Sequence, residues 1–480
     1  MRDGRVRRIV AAYTVNRLGT WFGFIALAIA VYDHTHSAAS VAGLLLCAQV
    51  LPAFLVPALV ARVETSTRRG ALSRLYLFEA LATAALAGLV MWHFTLPGML
   101  LLAALDGTAA LAASALLRAA AARAARSFAL RSIGYGWDAG SENPALARQG
   151  PGEQSPDGQG PGEEGPDGQG PGEEAAQVAE RRANAAINIG FAITFTVGPA
   201  LAGATVSAFG VPAALWIDVA SFLICGAMLI DLTPHVEDSE TTTVRARLSA
   251  ARNHIAASQV LARLLVVQAV ALVFFEFSPP IEVAYAKGTL HAGDGGYGIL
   301  LGVWGLGAAI GSVVFARSIK RSLGVLLTAS TLALGVAYLG WAVAPSLTVA
   351  CAAGLIGGIG NGVQWAALIS AVQRLTPERL HAQLMGAVES IGAISPGFGF
   401  ALGGVIAATA SPRVAWLVAG VGACACTIAF MRLPLGGVAA GEKTPDVGSE
   451  LGANVHVEPE WAQDLPARHE TEPSKATSAP

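Results

Sequence analysis

The chain contains 480 residues, of which 54% are hydrophobic and only 13% are charged. Soluble domains carry about 25% charged residues, and a soluble core of this length could not hide so much apolar surface. This composition excludes an ordinary soluble protein and indicates that much of the chain faces lipid. The net charge of -2 says little, because the placement of the charges matters more than their sum.

Apolar stretches of about 20 residues, the length that crosses a bilayer, follow one another along the chain. They predict twelve transmembrane helices, at 9–32, 38–61, 71–93, 98–118, 183–208, 211–232, 261–285, 296–316, 323–343, 346–372, 383–408 and 411–432. The first stretch follows a basic N-terminus but is too long for a signal peptide, so we expect it to remain as an uncleaved helix.

The basic residues alternate with these spans. With both ends of the chain on the cytoplasmic side, nearly all of the 31 Lys and Arg residues fall in cytoplasmic segments, whereas the outer loops hold Lys287 and Arg413. This distribution follows the positive-inside rule. It predicts a multi-pass protein of the bacterial inner membrane with both termini in the cytoplasm.

The sequence also contains internal repeats. The sequence at 198–203 (GPALAG) is similar to that at 399–404 (GFALGG), and basic residues close the second and eighth spans at Arg62 and Arg317, which are 255 residues apart. Such repeats predict two six-helix halves. Between the fourth and fifth spans, 149–174 contains Gly, Pro, Gln, Ser and acidic residues without one apolar side chain, which predicts disorder.

These features define the expected domain organisation. A cytoplasmic N-terminus precedes an N-terminal half with a disordered cytoplasmic insert, a central cytoplasmic linker, a C-terminal half and a disordered cytoplasmic tail. The expected limits are 1–8, 9–232 (with the insert at about 127–180), 233–260, 261–432 and 433–480.

Charged side chains at membrane depth are costly and commonly line a functional interior. The candidates for transport and proton coupling are Arg17, Glu79, Asp106, Glu276 and Glu389. Arg17 requires a carboxylate partner; Asp106 is favoured and Glu79 is the alternative. Alternatively, the same residues form a static ion pair that only holds the helices together. A carboxylate in a low-dielectric cavity can bind and release a proton near neutral pH.

Other residues define the surroundings of such a cavity. We expect Asp218 and Glu282 to lie near enough to the outer face to reach water, and Ser278-Pro279-Pro280 to break the seventh helix. An apolar surface with a few polar groups suits a drug-like substrate, although each of its members is also compatible with packing. The candidates for this substrate cavity are Asn16, Trp21, Asn361, Gln364 and Trp365.

The remaining motifs argue against other chemistry. The chain lacks a nucleotide-binding loop of the Gly-x4-Gly-Lys-Ser/Thr type, so ATP-driven transport by this chain alone is not expected. The spacings Gly307-x3-Gly311 and Gly399-x3-Gly403 predict close helix approach. The five cysteines lie in apolar runs and are expected to be buried hydrophobes without a metal.

Several longer stretches resemble one known superfamily. They are 16–19 (NRLG) with 31–33 (VYD), 49–52 (QVLP), 181–185 (RRANA) leading to Gly198-Pro199, and 373–379 (QRLTPER) with 385–386 (MG). As a set they resemble the major facilitator superfamily and, within it, the bacterial efflux branch that includes siderophore and macrolide exporters. The resemblance implies an all-α membrane fold of two six-helix repeats.

The resemblance also implies conformational motifs. Gly198, Pro199 and Gly203 match the antiporter motif of the fifth helix, although Thr194 stands at an upstream glycine position. Arg62, Arg68 and Arg69 match the loop between the second and third helices, where Ala61 replaces the Asp that normally helps to latch the two halves.

We therefore expect a secondary transporter rather than an enzyme, and specifically a proton-coupled exporter of a small, largely apolar compound. No cofactor is expected beyond the proton gradient, and the partners are the substrate and the lipid bilayer, without nucleic acid. An importer or facilitator on the same fold is the nearest alternative, and a non-transporting sensor or scaffold would suit Ala61 and the insert. A membrane enzyme would need a second polar cluster beside Asp33, His34 and His36. The oligomeric state is left open, and a monomer is compatible with the sequence.

Overall fold

The computed structural model describes residues 4–56, 70–132, 171–231, 254–318, 320–376 and 381–433. Twelve helical segments lie in these ranges, and ten helices, with 178–228 counted as one, are long and apolar enough to cross a membrane. The twelve segments are α1 (Gly4–Thr35), α2 (Ala38–Val56), α3 (Ala71–Trp92), α4 (Leu96–Ser132), α5 (171–209), α6 (211–228), α7 (Gln259–Thr289), α8 (Gly293–Arg317), α9 (Leu323–Val343), α10 (Leu347–Arg374), α11 (His381–Thr409) and α12 (Pro412–Met431).

The fifth and sixth helices form one helical run, Pro171–Met228, that is interrupted at Gly210. Gly210 has φ 80° and ψ 168°, a conformation that only glycine adopts without strain. Pro212 then occupies the first turn of α6, where its missing N–H removes no helical hydrogen bond. These two residues reverse the chain between neighbouring spans.

The seventh helix is broken inside the membrane, as the sequence predicts. Its first part, Gln259–Phe275, is capped by the Ser258 hydroxyl, and its second part, Ser278–Ala284, carries two prolines in the first turn. A π-helical turn, Tyr285–Thr289, completes the span. Irregular backbone at this depth is tolerated where it is buried in protein or lines a cavity.

The backbone confirms the two-fold repeat. The turn after α1 has His36 at φ 49°, and the turn after α7 has His291 at φ 52°. These two residues are 255 residues apart in the chain, the same offset that separates Arg62 from Arg317. An all-α membrane fold of two six-helix halves is therefore confirmed.

The predicted limits of the insert are wrong at both ends. Helix α4 continues to Ser132 and the α5 run begins at Pro171, whereas the insert was expected from about 127 to 180. The extension of α4 is rich in Ala and Arg, which favour helix even outside the membrane. Pro171 and the acidic residues after it suit a helix start. The rest of the insert, most of the central linker and the tail after Leu433 lie outside the described residues.

The two halves meet through small residues. We call the membrane face where α1 begins the Gly4 face and the face where it ends the Thr35 face. Helix α5 contacts α8 and α2 contacts α11. A Cβ atom on Gly203 would lie 2.6 Å from the Cα atom of Gly298, and one on Gly404 would lie 3.1 Å from the Ala38 carbonyl oxygen. These contacts lie towards the Thr35 face, so the structure is closed there.

Glycines also bring helices together within the C-terminal half. Gly307 and Gly311 of α8 abut the α10 backbone, and Gly403 of α11 abuts Phe277 of α7. The predicted close approach at both spacings is confirmed. Large apolar side chains such as Phe54, Phe209 and Phe398 are exposed, as expected for helices that face lipid.

Candidate transport site

A cluster of three carboxyl groups lies inside the N-terminal half. Glu79 of α3, Asp106 of α4 and Asp218 of α6 interact electrostatically with one another. Glu79 is 0% exposed, and neither of its carboxylate oxygens has a hydrogen-bond partner among the described residues. The hydroxyl group of Tyr76, one turn before Glu79, is buried without a partner as well. The cluster therefore combines like charges with unsatisfied polar atoms.

The other two carboxyl groups each have one short-range contact. The Thr83 hydroxyl donates to Asp106 Oδ1 at 3.0 Å, and the Ser221 hydroxyl lies 3.4 Å from Asp218 Oδ1. Asp218 packs against Gly19 and Gly23 of α1, where a Cβ atom would overlap the carboxyl group. Asp218 is 4% exposed, so the expectation that it reaches water is wrong. Its helix turns the side chain inward onto a glycine stripe that the sequence alone does not identify as its partner.

This arrangement has a direct chemical consequence for Glu79. An unpaired carboxylate in a low-dielectric interior is strongly unfavourable, and the charged groups that interact with Glu79, namely Asp106 and Asp218, have the same sign. The cluster can exchange a proton when water reaches it.

The expected ion pair between Arg17 and Asp106 is not formed. No described carboxylate lies within 4 Å of the Arg17 guanidinium; it lies over the Phe191 ring of α5, with its Cζ atom 5.3 Å from the ring centroid. Asp106 is instead held by Thr83. Glu79, the alternative partner, has no hydrogen bond to Arg17 either.

The C-terminal half holds two more acidic residues at the break of α7. Glu276 caps the first part of α7 at the break, and Gly399 of α11 packs against its Cβ atom. The Ser278 hydroxyl donates to Glu282. Glu282 is 5% exposed, so its expected contact with water is wrong as well. The Tyr297 hydroxyl, which interacts electrostatically with Glu282, is buried without a hydrogen-bond partner in the described part of the chain.

The five candidates for the substrate cavity occupy different environments. Trp21 of α1 is half-buried and packs edge-on against Phe24 and Phe195, with centroid distances of 5.7 and 5.4 Å. Asn16, which precedes Trp21 in α1, is buried. In α10, the Gln364 amide donates to the Thr331 hydroxyl of α9 at 3.1 Å. Asn361 is half-buried and Trp365 is exposed. The structure thus groups Trp21 with aromatic residues of α5 and gives Gln364 a packing contact.

The residues of α5 that resemble the antiporter motif lie at close contacts between helices. Gly198 abuts the Trp21 ring, and the Pro199 carbonyl oxygen and Gly203 abut Gly298 of α8. Arg62, Arg68 and Arg69 lie outside the described residues. So does the Glu389 side chain, although its backbone is part of α11.

One feature of the Thr35 face has no counterpart in the sequence-based candidates. Lys287 at the end of α7 forms an ion pair with Asp33 of α1, at 2.5 Å, and another with Asp294 of α8. Asp33 belongs to the N-terminal half, whereas Lys287 and Asp294 belong to the C-terminal half. The ion pair therefore joins the two halves. Asp33 and Lys287 each look solvated in the sequence, and only their distant pairing distinguishes them.

Solved transporter structures share this architecture. The nucleoside transporter NupG has 12% sequence identity and a TM-score of 0.60, covering 90% of this chain and 99% of that one. A bacterial homologue of the iron transporter ferroportin, in an inward-facing state, has 16% identity and a TM-score of 0.62, covering 89% and 98%. A bacterial homologue of the human lysosomal transporter Spinster has 13% identity and a TM-score of 0.55, covering 90% and 95%. At such identities the likeness establishes the fold.

These comparisons and the site define a secondary transporter of the major facilitator superfamily. Residues 174–456, more than half of the chain, match the family model described as transmembrane secretion effector. The chain belongs to that family. No curated protein sequence matches it.

Proposed function

We propose that this transporter is a proton-coupled exporter of a small, largely apolar molecule and belongs to the drug, antibiotic or siderophore efflux branch. The observation that carries the proposal is Glu79, whose carboxyl group is buried, unpaired and surrounded by like charge. A buried, unpaired carboxyl group is a candidate carrier of the coupled proton.

Alternating access links this proton to transport. In the present state the halves are closed at the Thr35 face by α5–α8 and α2–α11 contacts and by the Asp33–Lys287 ion pair. Rocking the halves apart at that face would open a midplane cavity towards the Thr35 side. Such a movement changes the hydration of the carboxyl cluster, and hydration favours release of the proton. Glu276 and Glu282 beside the α7 break form a second candidate site for the same step.

The experiment compares dye accumulation in cells that overexpress the wild-type protein, the Glu79→Gln variant or no transporter. A panel of apolar fluorescent dyes is used, with and without a protonophore. We expect the wild type to lower accumulation of at least one dye and the protonophore to abolish that effect. Glu79→Gln keeps the neutral shape of the protonated group, so it should insert normally but lose uphill efflux.

Other outcomes identify the alternatives. Higher accumulation in overexpressing cells would indicate an importer, and equilibration that ignores the protonophore would indicate a facilitator. Normal efflux by Glu79→Gln would remove Glu79 as the proton carrier and direct attention to Asp106, Glu276 and Glu389. If no dye responds in any strain, a sensor or scaffold becomes the better description.

A further inference from the structure

Two arginines converge on one tyrosine in the N-terminal half. The Arg118 guanidinium of α4 donates from Nη2 to the Tyr13 hydroxyl at 2.9 Å, and its Cζ atom lies 5.4 Å from the centre of the Tyr13 ring. Tyr13 itself is fully buried. Arg17 follows Tyr13 by one turn of α1, so both side chains lie on the same face of that helix.

This pair of arginines lacks a compensating charge. Among the residues that the structure describes, no carboxylate oxygen lies within 4 Å of either guanidinium. The groups that interact electrostatically with Arg17 are Tyr13, Tyr76 and Arg118, and the last of these has the same sign. Like charges repel strongly where water is scarce. Two neighbouring guanidinium groups without an acid are therefore the expected geometry of a site that is completed by an anion.

An aromatic surface continues from this pair along α1 and α5. Phe191 lies beneath Arg17, Phe195 stacks on Phe191 with centroids 5.7 Å apart, and Trp21 packs edge-on against Phe195. Trp21, Phe191 and Phe195 are only half-buried. Arg17 is half-buried and Arg118 is exposed. Positive charge at one end of this surface and half-buried rings at the other suit a ligand that has an anionic group and an apolar body.

We propose that Arg17 and Arg118 bind the anionic group of the substrate, a carboxylate or sulfonate, while its apolar body lies along Phe191, Phe195 and Trp21. The inference rests on the proposed function and narrows its substrate class from largely apolar molecules to amphipathic anions. Arg17 then has a role in substrate binding and not in an internal ion pair. No hydrogen bond joins Arg17 to Glu79, whose two carboxylate oxygens lack a partner among the described residues.

The test uses a matched pair of probes and the full-length purified protein in nanodiscs of zwitterionic lipid. The probe 8-anilinonaphthalene-1-sulfonate carries an anionic group, whereas N-phenyl-1-naphthylamine has nearly the same aromatic body without it. Equilibrium dialysis against empty nanodiscs gives the binding constant of each. The variants are Arg17→Gln and Arg118→Gln, and the control is Arg263→Gln, which removes an exposed arginine of α7.

We expect each of Arg17→Gln and Arg118→Gln to weaken binding of the sulfonate about tenfold, the effect of losing a charge-assisted contact, and to leave the neutral probe unchanged. Arg263→Gln should bind both probes like the wild type. Thermal unfolding of each variant establishes that it is folded. Should Arg17→Gln unfold, the exposed Arg118→Gln variant still decides the question.

Three results would overturn the assignment. Sulfonate binding that is equal in the wild type and both variants would show that the arginines do not bind it. An equal loss for both probes would show that the arginines only shape an apolar surface. Displacement of the sulfonate probe by phosphatidylglycerol in the nanodisc, but not by dodecanoate in solution, would assign the site to a lipid headgroup. Binding is measured without a gradient, so a failure of proton coupling does not affect this result.

Discussion

Replacing Asp33 by Asn removes the one carboxylate of the N-terminal half that binds Lys287, and it should loosen the closure of the Thr35 face. The Asp33 side chain is 43% exposed and that of Lys287 is 17% exposed. The pair is therefore partly screened, and we assign it about 1 kcal/mol, the upper end for exposed ion pairs. That free energy corresponds to about a fivefold increase in the open population.

Accessibility of a buried position at this face measures the open population. Ala38 is 3% exposed and lies against the α11 backbone, so an Ala38→Cys reporter reacts with a maleimide only when the face opens. In purified protein, we expect Asp33→Asn to speed labelling of this cysteine about fivefold. The matched control is Asp294→Asn, because Asp294 lies in the same half as Lys287 and its loss leaves the ion pair between the halves.

Salt gives an independent check on the electrostatic origin. At about 1 M salt the Debye length is about 3 Å, so labelling of the wild-type reporter should rise towards the rate of Asp33→Asn. The parent protein without the Ala38→Cys change gives the background from the five native cysteines. Equal labelling of the wild type and Asp33→Asn, at low and high salt, would refute the idea that this ion pair closes the face.

Two further changes test the halves and the insert. Gly203→Leu should speed labelling of the same reporter, because its Cβ atom would lie 2.6 Å from the Gly298 Cα atom. Gly392→Leu should not, because no atom of the described residues lies within 4 Å of its Cβ position. Equal rates for the two variants would show that the α5–α8 contact does not govern closure. Deleting 149–170 should leave expression and dye efflux near normal, because this stretch has no apolar residue to bury and the deletion stops before the helix that starts at Pro171. Loss of efflux at normal expression would instead give the repeat a specific role.

Local signals in the sequence were enough to predict most of the architecture. Membrane spans depend on length and apolar composition, and the break of α7 depends on the consecutive prolines Pro279 and Pro280, so both are legible in one segment at a time. The ends of α4 and α5 were missed because hydropathy marks where a helix leaves the membrane. It does not mark where the helix ends, and Ala-rich segments continue as helix in water.

The site was harder to predict because it depends on how distant segments pack. Burial of Asp218 requires the absence of side chains at Gly19 and Gly23 in another helix. The partner of Arg17 depends on helix rotation, which depth estimates along the axis do not supply. Asp33 and Lys287 each look like solvated residues at helix ends, and their pairing joins residues 254 positions apart in the chain. Such properties belong to pairs of helices and not to either sequence segment.

The glycine contact between α5 and α8 brings two main chains into direct contact. At Gly203 and Gly298 no side chain lies between the main chains, so the two helices can tilt relative to each other here without first separating interlocked side chains. The part of α5 that lies about 20 residues before Gly203, towards the Gly4 face, is about 30 Å away at 1.5 Å per residue. Over that distance, a tilt of about 10° at the contact moves this part of α5 by about 5 Å, nearly the pitch of a helix. A small tilt at this contact is thus enough to change the width of the opening at the Gly4 face by about the size of a side chain.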